Sequence, residues 1–180
     1  MYGMIHRALR QMVLDTEGSH TWQVIEQRAA IGPAHLISSA VYDDDTTLRV
    51  LSATSETLNE ALDRLLYRFG IYWIEYAEKS SFAPILNFTG ADLESFIRNL
   101  DTMHRTITDV LPGSQMPSFL VQDQQPGRMI VQYRSHRTGL EPFVEGLLVG
   151  LIERFGLEGS VNRLSAGDAG VIFSLEYRQR

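Results

Sequence analysis

Two groups of residues stand out for the chemistry they could do: a histidine on an apolar helical stripe, and three polar side chains on alternate positions of a strand. The histidine lies in IRNLDTMHRTI, residues 97–107. Phe96, Ile97, Leu100, Met103, Ile107 and Leu111 recur at spacings of three and four, so the segment reads as an amphipathic helix. His104 sits four residues after Leu100 and three before Ile107, on the stripe itself. An imidazole there is either a core group satisfied by one hydrogen bond or a ligand with one ring nitrogen free.

The polar run is YRSHR, residues 133–137, which ends the predicted strand RMIVQYRSHR. Side chains alternate along a strand, so Tyr133, Ser135 and Arg137 share a face with Met129 and Val131. That face begins apolar and finishes as phenol, hydroxyl and guanidinium at intervals of about 7 Å. Three donors with one cation suit an anion of several oxygens, such as a carboxylate pair, because a guanidinium binds carboxylate bidentately. A solvated strand end would carry the same residues without any ligand. A third feature is NEALDRLLYRFGIYWIEYA, residues 59–77, a predicted helix with Asn59 as its cap. Leu62, Leu65, Leu66, Phe69, Tyr72, Trp73 and Tyr76 make it apolar around much of its circumference, and Trp73 fits plain core as well as a pocket wall. One ligand unites the three features. Haem is large, flat and apolar, carries two carboxylates, and needs an imidazole approaching its iron.

Other elements must position these groups. Stripes predict helices over residues 2–15 and 20–30, then a linker with Gly32 and Pro33. Asp43, Asp44 and Asp45 fit the start of a helix running to about residue 56, and fit a hard-metal site less well. The helix bearing His104 starts near FTGADLESF and is ended by Pro112 and Gly113. After Pro117 the period changes: SFLVQD and RMIVQYRSHR read as strands around Gln125, Pro126 and Gly127. Residues 138–156 return to helix, and EGSVNRLS and GVIFSLEYR follow as strands joined at Gly167–Gly170. SAGDAG precedes a strand instead of a helix, so it is a hairpin turn and not a phosphate loop. Helices first, then β-β-α-β-β, predicts an α+β fold: a helical lobe over about 1–60, and a haem-ligating lobe with a small antiparallel sheet over about 61–180.

At 180 residues the chain fits a single domain able to bury roughly 70% of its unfolded surface, enough to surround a ligand. The net charge of −6 argues against nucleic-acid binding. With no cysteine, disulfides, thiolate catalysis and Cys-based zinc sites are excluded. Arg7 and Arg10 interrupt the N-terminal apolar residues, so no signal peptide is read, and no stretch is long enough to span a membrane. A soluble, cytoplasmic protein is expected.

MYGMIHRALRQMV, FGIYWIEYA, NLDTMHRTI, MPSF, YRSHR and GLEPFVEGLLVGL resemble the H-NOX (haem–nitric oxide/oxygen-binding) domains over essentially the whole chain. That family includes stand-alone bacterial sensors and the haem domain of soluble guanylate cyclase. The specific signature is Tyr-x-Ser-x-Arg about thirty residues after the helical histidine. The resemblance implies haem b (iron protoporphyrin IX), with His104 as proximal iron ligand and Tyr133, Ser135 and Arg137 holding the propionates. It implies that Pro117 presses on the porphyrin, that Ile5 touches the macrocycle from the other side, and that Trp73 lines the distal pocket. Oxygen-holding members resemble one another in a tyrosine on the helix after the signature. Residues 138–156 contain none, and the matching position holds Pro142 or an apolar neighbour.

The resemblance therefore implies a gas sensor and not an enzyme, binding NO and CO at ferrous haem and excluding oxygen. Binding of NO would stretch or break the link to His104 and shift the helical lobe against the sheet lobe. A separate partner would read that shift, in relatives a histidine kinase or a cyclic-di-GMP enzyme. Two other readings stand beside it. A haem enzyme such as a peroxidase would need a distal acid–base group, for which His6 is the one candidate, expected to face away because Ile5 points inward. A binding module without haem would leave His104 as a core residue.

Overall fold

The computed structural model describes residues 1–110, 115–167 and 170–180. Helices α1 (Gly3–Glu17), α2 (Ser19–Ala29) and α3 (Asp44–Leu58) come first, with a 3-10 turn at Pro33–Leu36 between the second and third. Helices α4 (Leu62–Glu78), α5 (Ala83–Thr89) and α6 (Leu93–Val110) follow. Strands β1 (Ser118–Gln125) and β2 (Arg128–Arg134), helix α7 (Glu141–Arg154), and strands β3 (Leu157–Gly167) and β4 (Gly170–Gln179) complete the order. The four strands form one antiparallel sheet in the order β1-β2-β4-β3. This is the predicted α+β fold.

Two apolar cores result. One unites α1, α2 and α3 with the first half of α4, through Leu9, Met12, Trp22, Ile25, Val50 and Phe69. The other lies between the sheet, α6, α7 and the second half of α4, around Phe96, Ile97, Met129, Leu148 and Phe173. Helix α4 enters both, which is why it is apolar on most sides. The inward face of β2, with Met129, Val131 and Tyr133 buried, follows the expected alternation, as do Val171, Phe173 and Leu175 on β4.

Helices α4 and α7 are in backbone contact. A Cβ on Gly146 would lie 2.0 Å from the Tyr67 carbonyl oxygen, and one on Gly70 would lie 2.2 Å from that of Phe143. Only hydrogen in place of a side chain permits this approach.

Several boundaries differ from expectation. Asn59 does not cap α4; it ends α3 in the left-handed conformation (φ 49°, ψ 40°), which asparagine tolerates, and α4 begins at Leu62. Helix α5 is an addition: seven residues are too short to display a period. Phe88 consequently belongs to α5, and α6 starts at Leu93. The expected stop at Pro112 and Gly113 and the Asp168–Ala169 tip of the last hairpin lie outside the described residues.

Candidate functional site

The apolar stripe of α6 divides in two. Phe96, Ile97 and Leu100 are buried in the sheet-lobe core, whereas Met103, His104 and Ile107 are only half-buried although they continue the same stripe. They face a cavity of about 230 Å³, bounded also by α1, α4, α5, α7 and the start of the sheet. Its walls are overwhelmingly apolar. Apolar side chains facing a void, instead of one another, mark a place built for a ligand.

His104 is the sole histidine among the described residues that line the cavity. Its Nδ1 lies 2.9 Å from the Pro117 carbonyl oxygen. A carbonyl only accepts, so Nδ1 carries the proton and Nε2 keeps its lone pair. Among the described residues Nε2 has no hydrogen-bond partner. Burial lowers the pKa of this imidazole, against the opposing pull of the Pro117 carbonyl and the Asp101 charge, so the ring is neutral at pH 7. A neutral imidazole whose other ring nitrogen donates to a carbonyl is the form in which histidine ligates a metal. Asp101, one turn before His104, accepts from the Ser118 hydroxyl and the Phe119 N–H, each at 2.7 Å. It thereby anchors the start of β1, and with it Pro117, against the helix. Nothing in the sequence reading singled out Asp101; its position three residues before His104 was the available signal.

The polar run behaves differently from a strand end. Strand β2 stops at Arg134, paired with Ser118. The next partner would be Pro117, which has no N–H to give the ladder. Ser135 and Arg137 therefore leave the sheet and bend around the cavity mouth, while Tyr133 stays on the buried face. The Ser135 hydroxyl accepts from the Arg137 backbone N–H at 3.0 Å. Burial pushes the Tyr133 phenol pKa up, with its contact to Ser135 acting the other way. The Arg137 guanidinium donates to Asp44 Oδ1 at 2.9 Å and to the Gln115 carbonyl at 3.0 Å. Partial burial works against the Asp44 charge, but the Arg137 bond and charge outweigh it and hold the carboxyl below its usual range. The aspartate run is thus helix-start chemistry: Asp43 caps α3 through the Thr46 N–H at 2.6 Å, and Asp44 pairs with Arg137. No metal cluster of carboxylates and histidines forms among the described residues.

Ile5 from α1, Trp73 from α4 and Pro117 before β1 line the same cavity, so all seven residues singled out in the sequence meet there. His6 does not; it is buried beside α3. Pro142, buried in the first turn of α7, does not line it either, while Leu140, Phe143, Val144 and Leu147 do. The sequence reading missed the α5 contribution of Phe82, Ile85 and Leu86, and the wall formed by Met1, Tyr2, Met4 and Val41.

The family model described as Haem-NO-binding matches residues 2–163. The chain belongs to the haem-NO-binding family. Similar to this H-NOX domain is soluble guanylate cyclase gcy-35 of Caenorhabditis elegans, 28% identical over 82% of this chain and 22% of that protein. Soluble guanylate cyclase 89Db of Drosophila melanogaster is 22% identical over 96% of this chain and 27% of that protein. The chain thus spans about a quarter or less of the length of these relatives. Among solved structures, a triple mutant of an H-NOX protein from S. oneidensis in the Fe(II) ligation state superposes with a TM-score of 0.88 at 18% identity, covering 99% of this chain and 97% of that one. An unliganded Fe(II) H-NOX mutant from K. algicida gives 0.82 at 20% identity, covering 100% and 98%. The residues present fit the family's prosthetic group. The H-NOX cavity here offers apolar walls, a guanidinium at the mouth, and a neutral imidazole nitrogen with no partner among the described residues. Among the described residues, no helix is long and apolar enough to cross a membrane.

Proposed function

We propose that this chain is a sensor that holds haem b between its two lobes, binds NO and CO at the ferrous iron, and excludes oxygen. The observation that carries the reading is His104, with Nδ1 tied to the Pro117 carbonyl and Nε2 unpartnered at the wall of an apolar cavity. Haem iron, when bound, supplies the coordination position at which a diatomic gas is held.

The chain's residues do the rest. His104 Nε2 would hold the iron, and its Nδ1–H bond would make Pro117 feel any change of load on the ring. Arg137, with Tyr133 and Ser135 beside it, would hold the propionates, giving up its bond to Asp44 for a carboxylate of the ligand. Asp44 starts α3, so that exchange reaches the helical lobe. Ile5 and Pro117 bear on the ring system from α1 and from the start of β1. Bound dioxygen is polar and gains from a donor, which NO and CO need far less. The wall formed by α4 and α7 offers Phe143, Val144, Leu147 and other apolar side chains, with the Trp73 indole as its one N–H among the described residues. Among the described residues no second histidine lines the cavity to serve as a peroxidase acid–base group, and His6 is engaged elsewhere. The shift of the helical lobe against the sheet lobe would be read by a cytoplasmic partner, a histidine kinase or a cyclic-di-GMP enzyme.

The test is the visible spectrum of the anaerobically reduced protein before and after NO, CO and air. A Soret band that moves with NO and CO and stays put in air supports the whole reading. A stable oxygenated spectrum would overturn oxygen exclusion and leave haem binding intact. No Soret band, even after haemin is supplied, would overturn haem binding itself.

A further inference from the structure

His6 is the one histidine of this chain that is buried outright, at 1% exposure, and the cavity does not use it. Both ring nitrogens are engaged across the helical lobe. Nδ1 lies 3.0 Å from the His35 carbonyl oxygen in the 3-10 turn, and Nε2 lies 2.9 Å from Thr47 Oγ1 in the first turn of α3. The carbonyl accepts, so Nδ1 donates; the neutral ring then accepts the Thr47 hydroxyl at Nε2. One ring face stacks on Tyr42 at 5.2 Å, and Tyr42 stacks in turn on His35 at 5.9 Å.

The imidazole thus ties α1 to the strap of residues 32–43. Backbone bonds run alongside it: Gly3 N–H to the Ala40 carbonyl at 2.9 Å, Met4 N–H to Ser38 at 3.2 Å, and Tyr42 N–H to Met1 at 2.8 Å. The approach is close enough that a Cβ on Gly3 would lie 2.1 Å from the Ile37 carbonyl oxygen. Met1, Tyr2, Met4 and Ile5 on one side and Val41 on the other form a wall of the cavity. Whatever holds strap to helix holds that wall.

The charges around the ring do not favour a cation. From the segment before α1 comes the amino terminus of Met1, which is positive; from the strap, His35; from the cap of α3, Asp43. Asp43 is committed to the Thr46 N–H, and His35 Nδ1 already accepts from the Gly32 N–H at 3.1 Å. A second proton on His6 would force Nε2 to donate and leave a buried charge offset only by Asp43, which has no hydrogen bond to the ring.

We propose that His6 is the positioning residue of this wall, a proton-sensitive clasp that holds the strap on α1 when neutral and releases it when protonated. The inference goes beyond gas binding and does not depend on haem being bound. Burial lowers the His6 pKa, with the His35 carbonyl opposing and the amino terminus adding to the effect. The clasp is therefore complete above about pH 6.5, the ordinary value, and is lost as pH falls from there towards the lower value of the closed form. Across that window the opening constant rises by up to about tenfold per pH unit.

Amide hydrogen exchange of the full chain tests this, followed by mass spectrometry from pH 7.5 to 5.5 and corrected for the intrinsic rate. Peptides covering residues 1–9 and 37–43 report the strap, and peptides from β2 and β4 serve as reference. In the wild type, strap protection should fall up to about tenfold per pH unit below about 6.5 while the sheet stays flat. His6→Gln keeps a donor and an acceptor but cannot take a proton, so its strap should be protected and pH-independent. His6→Phe keeps the stacking and loses both bonds, so its strap should be open at every pH. Should His6→Phe fail to fold, the comparison with His6→Gln decides alone. An unchanged pH slope in His6→Gln, or a flat wild type, would overturn the proposal.

Discussion

Substituting Gly146 with alanine pits two effects of opposite sign against each other. Alanine is the better helix former by about 1 kcal/mol, so propensity alone predicts a more stable protein. The new Cβ, however, would lie 2.0 Å from the Tyr67 carbonyl oxygen, where real Cβ contacts are essentially never under 3.0 Å. Helices α4 and α7 must separate by about 1 Å, and since the obstacle is backbone, no rotamer change relieves it. A gap of that size forfeits roughly a quarter to a half of the dispersion energy of each atom pair across the crossing. The Phe69–Phe143 ring pair, with centroids 5.1 Å apart, lies in this crossing. Overpacking of this kind costs about 1–3 kcal/mol, and a rigid backbone obstacle belongs at the top of that range. Subtracting the propensity gain leaves a net loss of about 2 kcal/mol, or a Tm lowered by about 4–8 °C at this chain length. Urea unfolding read by circular dichroism should show the midpoint falling with an unchanged m-value. Gly150→Ala is the control: its Cβ would lie 3.1 Å from Ile71 O and Ile74 Cγ1, so its effect should stay within about 1 kcal/mol of zero. A Gly146→Ala protein stabilised by about 1 kcal/mol would refute the close approach of the two helices that carry Trp73 and Phe143.

His104→Ala should abolish the axial-ligand signature of the reduced spectrum, and added imidazole should restore it; retention of the wild-type spectrum would place the ligand elsewhere. Arg137→Ala should speed haem loss by about tenfold or more, the scale of a charge-assisted hydrogen bond, as measured by transfer to a haem acceptor. Asp101→Ala orphans the Phe119 N–H and the Ser118 hydroxyl and should cost about 1–3 kcal/mol in urea unfolding. Phe143→Tyr puts a hydroxyl on the cavity wall and should yield a stable oxygenated spectrum in air, where the wild type is expected to give none.

The amphipathic helices and the strand faces were legible in the sequence because a period of 3.6 or 2 is local information. It placed His104 on a stripe and Tyr133 with Met129 and Val131 on one face, and both placements hold. Extending β2 to Arg137 failed for a non-local reason: a strand lasts only as long as its partner can pair, and that partner begins after Pro117. Helix α5 was missed because seven residues show less than two full periods of helix. Asn59 was misread because the same residue type suits a helix start and a left-handed helix end.

By itself, then, the sequence determined which face of each element is apolar, where an imidazole and a guanidinium interrupt that pattern, and that no thiol takes part. Only the tertiary structure decided that Ile5, Trp73, His104, Pro117 and Arg137, from separate segments, surround one cavity. It alone decided that Arg137 meets Asp44 across 93 residues, and that His6, expected to face away from the ligand, meets His35 and Thr47. Periodicity states that a face must be covered; what covers it depends on packing between residues far apart in the chain, which no local pattern encodes.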